Sequence, residues 1–600
     1  MVMLFCHVLR GDGVVNKEQF MILRYIAESR REFDREDLPY MENCSSVDID
    51  RYLSDFLDNG LIDENYQITA EGLDALSPYK VKNAIILAAG MSTRFIPVSY
   101  ELPKGLISVK GEVMTERLIR QLQDAGVGEI VLVVGYKMEK FFYLRDKFGV
   151  KLVVNNEFAV KNTHSSIYAA RDYLSNTYIV CSDNYYPKNM FHQYEYRAFY
   201  CSIYLPGTSY VERAFTFDED MLVTDTNKPS HDQWIMYGHA YYSNDFTTRF
   251  KPILESYYGR PGIEYMYWET IYAENVNLLP MWVQKCKDGD ILEFDSMEEL
   301  ERFDPDYITH NRVKVFENIC RILCCEFSDI SDIEPVKKGL NNRSFKFKCN
   351  GKSYIYRHPD VNASKVIDRK KEAASLRLAK KLEIDDTLVY IDENEGWKIS
   401  KYIDTTEDFD FGNLKHVSLL ANKLKRLHDS KLQVGFTFDY RREADKMIEY
   451  EKFVDALSYR KIEELRLRMA PIFDWLDAHP WQKTLCHNDL YEPNMLICGD
   501  ELTLIDWEFA GDNDIGYDIC KLFSLQTPAY EDIDKWLYSY YGRQTTDGEK
   551  LHLLSCASII YYYWYIWGIY ASQNNSGVSD YMIGWYDKMN HYSEEVLRRI

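Results

Sequence analysis

The stretch V-K-N-A-I-I-L-A-A-G-M-S-T-R-F-I-P-V-S-Y-E-L-P-K, from Val81 to Lys104, constrains this chain more than any other. Its apolar run from Ala84 to Ala89 has the length and composition of a fully buried strand, and Gly90 ends it. A loop with Ser92, Thr93 and Arg94 follows. Small residues at Ala89 and Gly90 let the backbone, from Leu87 onward, approach a ligand. Amide N–H groups at a strand-to-helix turn hold phosphate oxygens. Arg94 adds a planar fork and Lys104 a mobile point charge, with Pro103 stiffening the approach. Gly90 is the lone glycine before Gly105, which excludes both the dinucleotide fingerprint and the P-loop. Read from glycine content alone, the stretch is an ordinary βα turn.

Six hundred residues exceed a single core, and about two to four domains are expected. With 94 acidic against 71 basic residues the formal charge is −23, which disfavours a nucleic-acid partner while permitting a local positive pocket. The 13 cysteines show no Cys-x-x-Cys spacing, so neither a zinc knuckle nor a disulfide framework is indicated. The opening M-V-M-L-F-C-H-V-L-R lacks a basic leader, and no small-residue cleavage site follows, so a cytoplasmic protein is expected. Leu553 to Ala571 contains no charged residue and is long enough to span a bilayer. Its tyrosines cluster in the middle, at Tyr561, Tyr562, Tyr563 and Tyr565, which suits a buried helix better than lipid.

Residues 1–79 read as helices at Gln19 to Glu28 and Val47 to Asn59, a small hairpin over 60–69, and a helix from Ala70 to Leu76. This resembles a winged helix. From Met1 to Lys80, however, there are 16 acidic and 8 basic residues, which opposes a DNA-reading face. A regulatory protein contact or self-association through this segment is expected instead.

Residues 80–318 alternate strand and helix, which predicts an α/β domain with a mostly parallel sheet and ligands beyond the strand C-termini. The polar segment from Asn155 to Ser166 starts at a strand end. Asn162, Thr163 and Ser165 there either read a base or phosphate or form a loop and helix cap. Asp183, just past the strand Thr177 to Cys181, is placed for a hard metal or is itself a cap. Glu269 is the second carboxylate in reach of such a metal. Tyr185 and Trp268 belong to an aromatic-rich region that suits a quaternary ammonium group.

Residues 326–600 begin with a hairpin around G-L-N-N-R-S-F, a phosphate-covering loop that includes Asn342. Arg357 ends its second strand, within reach of α- and β-phosphates, and Glu372 is placed to orient it. The segment L-C-H-N-D-L-Y-E-P-N-M-L-I, followed by L-T-L-I-D-W-E-F-A, carries H-x-D-x-x-x-x-N and a second Asp. This is the small-molecule version of a kinase catalytic loop. Asp489 takes the substrate hydroxyl's hydrogen bond, Asn494 and Asp506 hold magnesium, and His487 stabilises the loop. Asp518 reads as a structural anchor. Glu508 with Trp564 or Trp567 would enclose a cationic amine.

L-A-A-G-x-x-x-R, eight further residues and P-K resemble the signature of nucleotidyltransferases that join a nucleoside triphosphate to a phosphorylated substrate. Bacterial phosphocholine cytidylyltransferases are the nearest likeness, over about Val81 to Val315. The resemblance implies Arg94 at the leaving β,γ-phosphates, Lys104 near the attacked phosphate, and magnesium on Asp183 and Glu269. Cys181 stands where the family's longer D-x-D-N motif has its first Asp, and Glu269 where it has Asp. The last 275 residues resemble the choline/ethanolamine kinase and aminoglycoside phosphotransferase superfamily, with an α+β protein-kinase-like fold. I-D-W-E-F-A-G leans toward choline kinases; Arg357 replaces the usual kinase Lys, as in the bacterial choline kinase group. The composite expectation is a magnesium-dependent enzyme that uses ATP to phosphorylate choline and CTP to make CDP-choline. Ethanolamine, another small alcohol or a sugar remains an alternative acceptor, and a regulatory sensor with enzyme-derived domains an alternative class.

Overall fold

The computed structural model describes residues 15–29, 46–92, 95–205, 213–227, 232–294, 296–336, 342–359, 367–454, 456–572 and 579–600. They fall into two compact units, Met1–Phe316 and Glu317–Ile600.

The first unit opens with helix α1, Lys17–Glu28, started by a reciprocal capping box between Asn16 and Gln19. Helix α2, Ser46–Asp58, and helix α3, Ala70–Leu76, complete a small core around Phe20, Leu23, Leu53 and Leu76. The expected hairpin is reduced to one bridge, Ile62 to Ile68. Asp63 Oδ1 accepts the amides of Asn65 (2.9 Å) and Gln67 (2.8 Å), curling the chain too tightly for a longer ladder. The hairpin is therefore present but short, with the Asp63 and Thr69 amides donating to Gln67 O (2.9 Å) and Leu61 O (3.1 Å) across it.

This module is fastened to the domain that follows. Glu28 accepts the Gln193 amide at 2.8 Å and meets His192 Nδ1 at 2.8 Å. Arg24 Nη1 lies 3.2 Å from Glu195 Oε2, and the Phe20, Tyr79 and Tyr196 rings stack beside it.

The central sheet has nine strands. These are β1 Asn83–Ala88, β2 Glu129–Val134, β3 Lys151–Val154, β4 Thr177–Cys181, β5 Phe199–Leu205, β6 Ala214–Phe217, β7 Val223–Asn227, β8 Gln233–Tyr242 and β9 Trp282–Lys285. The order is β7-β6-β8-β4-β1-β2-β3, with β5 pairing β8 and β9. Every residue of β1 is buried, as a strand covered on both faces requires. Helix α4, Met114–Asp124, packs one face through Leu118, Ile119 and Leu122. Helices α5, Thr163–Ala169, α6, Asn244–Tyr257, and α7, Trp268–Glu274, pack the other.

The sheet corrects the expectation of a mostly parallel one. β4, β1, β2 and β3 run parallel, but β8 is antiparallel to β4, β5 and β6, and β6 to β7. No helix lies between β5 and β8, so no parallel crossover forms there.

The second unit has a five-stranded antiparallel sheet: β10 Ile330–Val336, β11 Asn342–Cys349, β12 Lys352–Pro359, β13 Leu388–Ile391 and β14 Lys398–Lys401. Helix α8, Arg369–Lys381, follows β12. A mostly helical part carries the hairpin-paired strands β15 Lys483–Cys486, β16 Met495–Cys498, β17 Glu501–Leu504 and β18 Gly511–Asp514. Short helices α9, Gly516–Ile519, and α10, Lys521–Ser524, follow, and then α11, Asp547–Ser572, and α12, Ser579–Leu597. This is the expected α+β arrangement. The tyrosine-rich α11 is buried in the core, and no helix among the described residues is long and apolar enough to cross a membrane.

Glu28→Ala should free the Gln193 amide and His192. The expected loss is about 1–3 kcal/mol of docking energy, read as faster proteolysis of the N-terminal module and a lower melting temperature for the first unit.

Candidate active sites

In the first unit a cleft of 360 Å³ opens beyond the C-terminal ends of β1 and β4. Leu87, Ala89 and Gly90 line it, as the sequence leads one to expect. Arg94 lies outside the described residues. Lys104 reaches the cleft from the P-K-G turn, and its Nζ donates to Asp183 Oδ2 at 2.8 Å. The turn can lie this close because residue 105 is glycine. A Cβ there would stand 2.7 Å from Ser182 Cβ and 2.7 Å from Thr115 Oγ1.

Asn162 lines the cleft and caps α5, its Oδ1 accepting the Thr163 amide at 2.7 Å. The cap half of its expected reading therefore holds, in a residue that also lines the cleft. Ser165 does not line the cleft. Its hydroxyl donates to Asn162 O at 2.7 Å and accepts from Asn155 Nδ2 at 2.8 Å, so it braces the loop from below. One residue further round the helix, Ser166 takes the cleft position.

The expected aromatic wall is not built from Tyr185 and Trp268. Tyr185 packs between the Arg117 guanidinium (4.9 Å) and Phe303 (5.5 Å). Trp268 stacks on Tyr200 in the core, with centroids 5.6 Å apart. The aromatic side chains at the cleft are Phe158 and Tyr265, the latter 86% exposed and following Gly262 at φ 87°. Lys161 also lines the cleft, paired to Glu157 at 2.6 Å and lying 4.0 Å over Tyr258. Sequence reasoning passed over it, although its place beside Asn162 in a polar strand-end segment was a usable signal.

Glu269 opens α7, and its Oε1 accepts from Tyr200 Oη at 3.2 Å. It gathers with Asp183 and Glu293 around Cys181, whose thiol is pushed well up by burial, then by Asp183, Glu293 and Glu269 in turn. Cys181 thus stays neutral where a further carboxylate would add charge. Asp183 lines the cleft, whereas Glu269 is not among its lining residues; both offer carboxylate oxygens, the donor type magnesium takes.

In the second unit Arg357 and Glu372 form a two-pronged pair. Arg357 Nη2 donates to Glu372 Oε2 at 2.8 Å, and Nη1 donates to Oε1. Arg369 Nη1 adds a bond to Oε2 at 2.9 Å. Burial opposes ionisation of Glu372, yet Arg357, Lys398 and Arg369 override it and hold the carboxyl at about 2. Asn342 opens β11 across from Pro359, its side chain and loop residues 337–341 lying outside the described residues.

The catalytic-loop residues come together. Asp518 accepts the amides of His487 (2.8 Å) and Asn488 (2.9 Å), which makes it the anchor the sequence suggests. His487 ties the loop to Ile505 O at 2.9 Å. Asn494 Nδ2 donates to Asp489 Oδ2 at 3.1 Å. Asp489 is pushed up to about 7, chiefly by burial and then by Asp506. A proton affinity near neutrality suits a group that accepts a hydroxyl proton. Asp506 sits at φ 68°, in the left-handed region, which turns its carboxylate away from the strand path. Its Oδ1 lies 3.7 Å from Arg357 Nη1 and receives no hydrogen bond among the described residues. An orphaned carboxylate oxygen near Asn494 fits a hard cation.

Glu508 is buried, with Oε2 3.6 Å from Arg369 Nη1, so an arginine already balances it. The helix residues Trp564 and Trp567 meet edge to face at 5.5 Å, and Trp564 stands 5.8 Å from Phe509. A half-buried aromatic corner thus lies beside the residue that follows Glu508. Tyr491 of the loop was not singled out from sequence. Burial and then Asp489, Asp506 and Glu508 push its phenol up, which places it among the acidic groups.

Glu372→Ala would leave Arg357 and Arg369 buried without their shared carboxylate. A loss of about 3–5 kcal/mol is expected, measurable as a lower denaturation midpoint for the second unit with the first unit's transition unchanged.

Residues 333–553 match the choline/ethanolamine kinase family, and residues 84–193 match the MobA-like NTP transferase domain. The choline-phosphate cytidylyltransferase of Streptococcus pneumoniae is 30% identical over 221 residues, 37% of this chain and 96% of the relative. The 2-aminoethylphosphonate cytidylyltransferase of Lancefieldella rimae is 34% identical over 234 residues, 38% of this chain and 93% of the relative. The solved structure of choline kinase LicA from Streptococcus pneumoniae aligns with 47% of this chain and 98% of its own, at 22% identity and a TM-score of 0.41.

Proposed function

Because the chain belongs to the nucleotidyltransferase family of these cytidylyltransferases and carries a choline/ethanolamine-kinase-like domain behind it, we propose that it makes CDP-choline in two steps. The observation that carries the reading is that each unit brings expected site residues together among its described residues. Lys104 faces Asp183 in one; in the other, Asn494 is bonded to Asp489, and Asp506 faces Arg357.

In the kinase step the choline hydroxyl meets Asp489, which takes its proton as the oxygen attacks the γ-phosphorus of ATP and ADP leaves. Arg357, fixed by Glu372, faces the α- and β-phosphates. Magnesium held by Asn494 and Asp506 would neutralise phosphate charge. In the second step a phosphocholine oxygen attacks the α-phosphorus of CTP and pyrophosphate leaves. The acceptor is already ionised, so no general base is needed. Both reactants are anions, so alignment and neutralisation dominate the barrier. Lys104 faces the attacked phosphate, with Arg94 assigned to the leaving oxygens. Magnesium on Asp183 and Glu269 would supply further positive charge. Leu87, Ala89, Gly90 and Asn162 cradle the nucleotide.

The phosphonate-coupling relative raises a second reading, in which the acceptor carries a carbon–phosphorus bond. A phosphonate needs no kinase to become a nucleophile. The fused kinase-like domain therefore favours a phosphate ester of choline or ethanolamine.

A single reaction with magnesium, ATP, CTP and choline, followed by mass spectrometry, tests this. ADP, pyrophosphate and CDP-choline are expected. Asp489→Asn should lower ADP formation by about 10²–10⁴-fold, and Asp183→Ala should block only the CTP step. Ethanolamine or 2-aminoethylphosphonate turning over in place of choline would reassign the acceptor; no turnover of any would refute the two-step reading.

A further inference from the structure

The kinase centre contains a buried cation that the steps above leave unused. Lys521 of α10 is 8% exposed. Its Nζ lies 5.5 Å from the Tyr561 ring centroid and makes no hydrogen bond or ion pair among the described residues. Desolvating an ammonium group with no anion in direct contact is costly, so this arrangement suits an anion that the chain itself does not bring within hydrogen-bond reach.

Its position limits what that anion is. Asp518, three residues earlier, grips the amides of His487 and Asn488, so the α9–α10 segment is locked to the catalytic loop. Lys521 feels the negative charges of Asp489 and Glu492 and the positive charge of Lys588. Lys588, from α12, lies 6.0 Å from the same Tyr561 ring. Two ammonium groups thus approach one aromatic ring, and the nearer one feels the charge of the residue assigned the hydroxyl proton.

The other cations nearby are already committed. Arg357 and Arg369 are bonded to Glu372. The loop H-N-D-L-Y-E-P-N contains no basic residue other than His487, which is tied to Ile505. A phosphoryl group arriving at Asp489 therefore meets a carboxylate-rich surface and needs a cation of its own.

We propose that Lys521, backed by Lys588, binds the oxygens of the phosphoryl group as it passes from ATP to the amino-alcohol oxygen and in the resulting phosphate ester. The inference rests on the kinase reading of this domain. The bond between the γ-phosphorus and the β,γ-bridging oxygen breaks, and its electron pair leaves with ADP. The bond from phosphorus to the alcohol oxygen forms, and the hydroxyl proton goes to Asp489. Lys521 remains an ammonium throughout.

The test uses the full chain, with choline, ATP and magnesium. Lys521→Met should lower kcat for ADP formation by about 10²–10³-fold, with KM for ATP changing less than about threefold and inhibition by added phosphocholine weakened. Removing an unpaired buried charge should also raise the melting temperature, which a structural role for Lys521 would lower. Lys521→Arg should recover at least about tenfold of the lost kcat, and CTP turnover with supplied phosphocholine should be unaffected. Retention of kcat within about threefold in Lys521→Met, or a fall in melting temperature with no rescue by Arg, overturns the inference alone. A wild-type chain that phosphorylates neither choline nor ethanolamine overturns the kinase reading and this inference with it.

Discussion

A fully buried carboxylate with its charge intact is the constraint on which the second unit turns. Glu372 has no exposure, and burial alone would keep it protonated. It ionises because Arg357, Arg369 and Lys398 converge on it from β12, the first turn of α8 and β14. The sheet and the helix are therefore held at one spacing by charge as well as by apolar packing. The same contact fixes Arg357, whose other neighbour is Asp506 across the cleft. Replacing such a pair by apolar side chains is often neutral for stability. On the proposed function the pair makes sense as positioning, since an arginine held at both ends would be presented to phosphate at no further entropic cost.

The first unit solves the related problem with less burial. Lys104 and Asp183 come from a turn and a strand end, and glycine at 105 lets them meet. A parallel strand buried on both faces has no freedom to shift, so β1 and β4 deliver their C-terminal residues to one edge at fixed separation. Asp518 plays the comparable part in the kinase-like unit, accepting two successive loop amides with one carboxylate. In both units the reactive groups sit on irregular backbone, and regular elements supply the rigidity.

Much of this was legible in the chain. The β1 run, the P-K pair and the H-x-D-x-x-x-x-N loop each combine a local conformation with a family signature, so Lys104 and Asp183 could be expected at one cleft and Asp489, Asn494 and Asp506 around one loop. The pairs Arg357–Glu372 and Asp518–loop were also within reach, because family motifs order those residues along the chain. What failed depended on side-chain direction. Ser165 and Ser166 differ by one helical step of about 100°, and the sequence offers no reason to prefer the second. Tyr185 and Trp268 satisfied an aromatic count but went to the core, leaving the exposed Tyr265 at the cleft. The antiparallel half of the sheet was missed because β5 to β8 lack the intervening helices from which parallel order is read. Lys521 was missed because its significance is the absence of a partner, which only three-dimensional packing reveals.

The charge of the chain gives these placements a common logic. A protein at −23 repels free nucleotides at long range and attracts a cationic amine. Favourable nucleotide binding must therefore come from short-range groups that are shielded from the surrounding acid. Burial does this twice over, by strengthening each remaining interaction and by removing competing water. Lys104 and Arg357 are both buried, although most of the chain's lysines and arginines are at the surface. An ammonium-bearing substrate instead needs only the general field to reach the enzyme, and an aromatic face to rest on. On the proposed function, the acidic surface and the few buried cations would divide the work between the two kinds of substrate, the first collecting the amine and the second holding the phosphate.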